Sequence, residues 1–400
     1  MMGLFIFLNP FPHITTIKEF IFYPTAFAVL VLIATGKIDF SFKSPLSLPF
    51  ALFVSWALLN LFFALDKPGS IHDFLAHLIK YIFFYYVLIN FFSSKKGLDT
   101  LSWLIIVPST IFSIVSLSYF YIVLQNPLST RFGNNFTDSA TNIIGFTIVF
   151  AFILAVHHIL SDKTFYLKTA CVFCLFPLFA ASILTQSRGT ILALILSSFV
   201  LLINHKKTLF CFSFMILFLV WINPAQKRIA EYDSYHVRLG TFYYSVEMIK
   251  DYPVIGSGFS IDTFRDPKIF NPDEYMKRIP DKYRKQPHGI YWPHNMLLSM
   301  GVRVGLIGLV LFLYLLFVPA KMCWHLIRSG GDEYIKNWGI CLSSVYIMLC
   351  VHGLFNPIFT HFVDVIFYTI LSMITILWRL NQDDAHSGGQ VPFSRKCPNG

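Results

Sequence analysis

Long apolar runs separated by short polar connections dominate the chain and fix its elements. Segments with few or no charges and lengths near a membrane crossing fall at about 1–12, 17–35, 47–65, 77–92, 100–124, 141–160, 166–185, 190–204, 207–222, 302–320, 337–355 and 361–378. A hydrocarbon core about 30 Å thick needs a helix of roughly 20 apolar residues. The pattern therefore predicts an all-α, polytopic integral membrane protein with about twelve transmembrane helices, the first of them short. It changes character once. Residues 223–301 hold nine acids and eleven Lys or Arg, with tyrosines and prolines replacing the Leu, Ile and Phe background, and read as one large loop roofing the bundle. The expected organisation is spans 1–9 over 1–222, the loop over 223–301, spans 10–12 over 302–380, and a Ser- and Gly-containing tail over 381–400 that predicts disorder. No internal repeat of the inverted transporter type is evident.

Composition sharpens this reading. With 56% apolar and only 13% charged residues, against about 25% charged in an average soluble domain, the chain cannot cover itself with polar groups in water. The net charge of +10 is not a nucleic-acid signal, because it is dispersed over short loops, the tail and the long loop. If both termini are cytoplasmic, the inner loops and tail carry fourteen Lys or Arg (37, 43, 95, 96, 163, 168, 206, 207, 321, 328, 336, 379, 395 and 396). The short outer loops carry Lys18, Lys67, Lys80, Arg131 and Arg188. Positive charge thus selects this orientation and puts the 223–301 loop outside. The opening run Met1–Leu8 lacks the basic region and small-residue cleavage site of a signal peptide. The seven Cys lie mostly inside apolar runs, and the single Cys171-x-x-Cys174 pair has no second pair or nearby His to complete a metal site. They read as structural thiols.

Within the loop, Leu239, Phe242, Val246 and Ile249 follow helical spacing, which predicts an amphipathic helix over Val237–Asp251, stopped by Pro253. After Gly256-Ser257-Gly258, the stretch Asp262–Tyr291 predicts a loop with little regular structure.

Polar groups at membrane depth or at an interface are the informative residues, since each is costly and needs a partner. Arg188, in Leu184-Thr185-Gln186-Ser187-Arg188-Gly189-Thr190, stands at an outward turn between two spans; it is either an anion contact or a snorkelling anchor. Arg238 falls in the first turn of the expected amphipathic helix, where a cation suits the positive helix end only if an anion binds there; otherwise it is a solvated surface charge. Thr241 and Ser245 share its face. His294, in Trp292-Pro293-His294-Asn295, lies where the loop re-enters the membrane, as a general base near neutral pH or as part of an interfacial aromatic belt. Asn295 could orient a ring or a sugar. Arg131 is a third candidate anion contact. Asp364 is an intramembrane acid, functional or paired with a neighbouring Arg or Lys. Gly301-x-x-x-Gly305, continuing to Gly308, reads as close helix packing. Two outward arginines and a His suggest a multiply charged anion beside a nucleophile that must lose a proton. No carboxylate pair or His/Cys cluster offers a metal site, so the chemistry expected is metal- and cofactor-independent.

In these residues the chain resembles the O-antigen ligase and polymerase superfamily of bacterial envelope enzymes. The resemblance rests on Leu-Thr-Gln-Ser-Arg-Gly-Thr at a span end, Arg238-Leu239 opening a helix that runs to Asp251-Tyr252-Pro253-Val254-Ile255-Gly256, and Pro293-His294-Asn295 followed by Gly301–Leu316. It covers roughly residues 70–380, and the ordered combination is more specific than any one motif. It implies glycosyl transfer at the periplasmic face of the inner membrane from an undecaprenyl-pyrophosphate-linked O-polysaccharide; in the ligase branch the acceptor is a sugar hydroxyl of lipid A-core. It implies that Arg188 and Arg238 bind the pyrophosphate, that His294 takes the hydroxyl proton, and that the anomeric centre inverts. Membrane lipids, the glycan donor and lipid A-core are the partners implied, with no nucleic acid. A polymerase, a protein O-oligosaccharyltransferase using the same donor, and a lipid-linked glycan transporter are the competing readings; the lack of a further soluble domain favours the ligase.

Overall fold

The computed structural model of the protein describes residues 1–11, 14–133, 141–161, 164–210, 232–284, 293–328 and 332–387. Among the described residues the architecture is all-α, without a strand. The helices are α1 (Met2–Phe7), α2 (Thr15–Ala34), α3 (Ser47–Phe63), α4 (Lys67–Asp73), α5 (Lys80–Phe91), α6 (Lys95–Leu117), α7 (Thr141–Ser161), α8 (Phe165–Leu184), α9 (Arg188–Leu202), α10 (Tyr232–Asp251), α11 (Pro272–Arg278), α12 (Met296–Arg328), α13 (Glu333–Gly353) and α14 (His361–Ser387). A π-helical segment, Phe74–Ile79, joins α4 to α5, and another, Ser118–Val123, prolongs α6.

Among the described residues eight helices are long and apolar enough to cross a membrane, and α3 and α9 are shorter apolar helices. The protein is a multi-pass membrane protein. The run at 1–12 makes no crossing helix: α1 has six residues and the chain turns before Pro10, so it rises only about 9 Å. The expected span at 207–222 lies outside the described residues from 211 onward. The span expected from 77 starts ten residues earlier, at Lys67, because Asp66 caps it: its Oδ1 accepts from the Gly69 N–H at 3.0 Å, and Pro68 supplies a pre-set first turn. At the other end α14 runs on to Ser387, into the stretch whose composition predicts disorder.

Burial separates the centre from the rim. The apolar stretches of α7 and α14 are 78% and 83% buried, those of α2 and α8 only 28% and 33%. Phe173 and Phe176 of α8 stand exposed on the outer surface, where lipid tails solvate them. Centrally, α9 packs against α13, α12 against α3 and α13, and α5 against α14.

The roof has its own small core, formed by Tyr244, Met248, Phe264, Phe270, Tyr275, Ile279 and Val302. Asp251 ties α10 to α11, accepting from Tyr275 Oη at 2.6 Å and Arg278 Nη1 at 2.7 Å. The 262–284 stretch is more regular than its composition predicts, carrying α11 and two single-turn 3₁₀ segments. The roof joins the membrane helices by a backbone crossing. Gly305 has φ 68°, a break inside α12, and a Cβ there would lie 2.2 Å from the Val254 carbonyl oxygen. Through that gap the 253–258 segment bonds to α12: Ser257 N–H to Val302 O at 2.8 Å, Gly258 N–H to Arg303 O at 3.0 Å, and Leu306 N–H to Pro253 O at 2.8 Å. Gly305 therefore serves a chain crossing and not the helix–helix packing that its GxxxG spacing suggests.

Candidate active site

Three elements meet at the roof junction. The first is the turn before α9. Gln186 takes a left-handed conformation at φ 48°, which reverses the chain so that Ser187 caps α9, accepting from the Thr190 N–H at 3.3 Å. Arg188 is the first residue of that helix. The turn is stitched from outside: Arg131 Nε donates to Thr185 O at 2.9 Å, and Gln186 Nε2 to Ser129 O at 3.1 Å. The second element is α10. It begins at Tyr232, so Arg238 is its seventh residue, past the turn whose N–H groups lack partners within the helix. The expected coincidence of Arg238 with the positive helix end does not hold, and its place is set by packing. The third is the entry to α12. Asn295 caps that helix, its Oδ1 accepting from Leu297 N–H at 2.8 Å and Leu298 N–H at 3.1 Å, and its Nδ2 donates to Leu354 O at 3.3 Å. His294 precedes it, half-buried.

A cavity of about 250 Å³ collects these groups. Arg188, Arg238, His294 and Asn295 line it together with Thr241, Leu239, Phe242, Leu298, Leu354 and Phe355. Four of the five site residues expected from sequence are thus brought together. Arg131 is not in this lining and acts on the turn beneath Arg188. Ser245 is buried and bonds to Thr241 O at 2.7 Å, which braces α10 from behind. The 353–358 turn was not legible as part of the site. Phe355 packs its ring where a Gly189 Cβ would come within 2.9 Å, and the Arg238 guanidinium lies 5.6 Å from the centre of that ring, a cation–π distance. His352 supports the turn from the bundle side: Asn356 Nδ2 donates to its Nδ1 at 2.9 Å, and its Nε2 stands 3.5 Å from Thr190 Oγ1.

Burial pushes the His294 imidazole down to about 4, with the Arg238 charge as the second cause. His294 is therefore neutral at physiological pH and able to accept a proton. Among the described residues no group of three or more His, Cys, Asp or Glu could hold a metal ion. The cavity offers two guanidinium groups for an anion, one neutral imidazole, and apolar walls.

Residues 171–313 match the family model described as O-antigen ligase. Over this region the chain is similar to the O-antigen ligase/polymerase superfamily. The matched stretch contains Arg188, Arg238 and His294, while Leu354, Phe355 and Arg131 lie outside it. The match supports a function of the O-antigen ligase or polymerase type, a coarse enzymatic role in glycosyl transfer. No curated protein matches the chain.

Proposed function

We propose that the protein is an O-antigen ligase that transfers O-polysaccharide from undecaprenyl pyrophosphate to a sugar hydroxyl of lipid A-core, at the periplasmic face of the inner membrane; the C-terminal tail is cytoplasmic, but because α1 is too short to cross, the N-terminus falls on the outer side and not on the cytoplasmic side expected from twelve spans. The observation that carries this reading is the single cavity holding Arg188, Arg238 and His294. The acceptor hydroxyl oxygen attacks the anomeric carbon as the bond from that carbon to the pyrophosphate oxygen breaks. His294 takes the hydroxyl proton, and the departing pyrophosphate gathers negative charge. Arg188 and Arg238 stabilise that charge as it develops, so no metal is required. Attack opposite the leaving group inverts the anomeric configuration. Leu239, Phe242, Leu298, Leu354 and Phe355 give the cavity apolar walls, which lower the local dielectric and strengthen both ionic contacts.

The test is the lipopolysaccharide profile of a deletion strain complemented with wild type or His294→Ala, with carrier-linked polymer measured in parallel. The ligase reading expects His294→Ala to be present at wild-type level, lipid A-core to stay bare, and full-length polymer to accumulate on the carrier. Core bearing single repeat units would identify a polymerase instead. Wild-type ladders from His294→Ala would remove the base assignment.

A further inference from the structure

Away from the cavity the structure buries a second set of ionisable groups that the transfer chemistry does not use. Arg303 of α12, Asp73 and His77 of the α4–α5 region, and Asp364 of α14 are all under 10% exposed. His77 Nδ1 and Asp364 Oδ2 are 2.7 Å apart, and His77 Nε2 stands 3.9 Å from Asp73 Oδ1. Arg303 Nη2 stands 3.9 Å from Asp73 Oδ2. Asp364, read from sequence as functional or paired, is therefore paired, with a histidine.

Two of the four, Arg303 and Asp73, hold the roof crossing, with Ser70 and Asn60 beside them. Arg303 Nε donates to Phe259 O at 2.6 Å and its Nη1 to Ile358 O at 3.3 Å. Its guanidinium lies 4.5 Å from the Phe259 ring centre. Asp73 Oδ2 accepts from the Ile261 N–H at 2.9 Å, and Ser70 Oγ accepts from the Ser260 N–H at 3.2 Å. On the other flank Asn60 Nδ2 donates to Ile255 O at 2.7 Å. One guanidinium thus joins the segment that leaves α10 to the 353–358 turn whose Phe355 faces Arg238.

Stability alone does not explain such a cluster, since a buried ion pair replaced by packed apolar groups often costs nothing. What a fixed charge in a fixed place supplies is position. We infer that Arg303, held among Asp73, His77 and Asp364, is a positioning residue of the transfer site: it locks the 253–261 crossing and the 353–358 turn to α12, and so keeps Arg238 beside His294. This rests on the glycosyl-transfer reading above. Arg303 touches no substrate and acts through the backbone it holds.

The experiment uses the full chain in proteoliposomes, comparing wild type, Arg303→Met, Arg303→Lys and Asp364→Asn. Two readouts are taken: kcat and donor KM with a polyprenyl-pyrophosphate-linked glycan, and amide exchange over 253–261 and α10. Arg303→Met is expected to speed exchange in both segments and to lower kcat about tenfold or more, with a smaller change in KM. Arg303→Lys keeps the charge and recovers part of both losses. Should Arg303→Met fail to fold, as judged by gel filtration, the near-isosteric Asp364→Asn is expected to shift both readouts in the same direction. Wild-type exchange in the variants overturns the inference, as does a loss of kcat without faster exchange, or an Arg303→Lys no better than Arg303→Met. Absence of any transfer by wild type would instead sink the glycosyl-transfer reading, while the exchange data would still decide whether Arg303 holds the roof.

Discussion

His294 and Arg238 are coupled electrostatically, and the coupling has a direction that can be measured. A positive neighbour makes protonation of an imidazole harder, so removing it must raise the His294 pKa. Burial is the larger cause of the depression to about 4 and Arg238 the smaller. Arg238→Gln should therefore move the midpoint upward but leave it below the ordinary histidine range. Diethylpyrocarbonate reacts with the neutral ring, so peptide-resolved modification of His294 against pH reads this midpoint; an unmoved midpoint in Arg238→Gln would show that the two groups are not coupled. The same sign holds for the base: it is competent above about pH 4 and lost as pH falls through that value. Arg188 and His294 stood out in the sequence as polar groups beside apolar spans, whereas Arg238 was marked only as a cation on the expected roof helix and by the family resemblance. Phe355 was not, since one aromatic among 44 Phe carries no mark; its role follows from Gly189, which leaves room for its ring. Arg303 was equally silent, because its partners Asp73 and Asp364 come near it only through the packing of α12 with its neighbours.

At the scale of elements, the backbone crossing at Gly305 is the feature most sensitive to a single methyl group. Gly305→Ala would combine a left-handed backbone, at φ 68°, with a Cβ placed 2.2 Å from Val254 O. A cost of about 1–3 kcal/mol from backbone strain alone is expected, and the contact adds to it. Thermal unfolding of the purified variant should show a lowered Tm, and an unchanged Tm would mean that the crossing is not a tight one. Hydropathy located most of the helices, and misplaced those boundaries that capping decides. Asp66 with Pro68 starts a helix where the apolar pattern alone has not begun, and α10 starts ahead of its first periodic apolar residue. The GxxxG spacing misled at Gly305 alone, since close packing and a backbone break both call for glycine and spacing does not separate them; Gly301 and Gly308 do pack closely, against Ile249 of α10 and Trp56 of α3.

The whole molecule is a bundle with a roof on one side, and the side is a testable matter. The excess of Lys and Arg on the other connections is the reason for proposing that the roof lies outside. A single cysteine at Lys277, in α11, should then react with a membrane-impermeant maleimide in intact spheroplasts, whereas one at Lys336, in α13, should react only after lysis; the reverse pattern would invert the topology. Lengths add something further. Helix α9 has 15 residues and so spans about 22 Å of a hydrocarbon layer about 30 Å deep. Placed with its Leu202 end at the inner boundary, α9 would leave Arg188 several ångströms short of the outer one. The floor of the cavity is then sunk beneath the level of the lipid headgroups. A phosphate tethered to a polyprenyl chain can be drawn down to that depth without leaving the bilayer, whereas a free sugar nucleotide would have to shed its water to follow. Selection for lipid-borne glycans would in that case be a matter of helix length before any sugar is recognised.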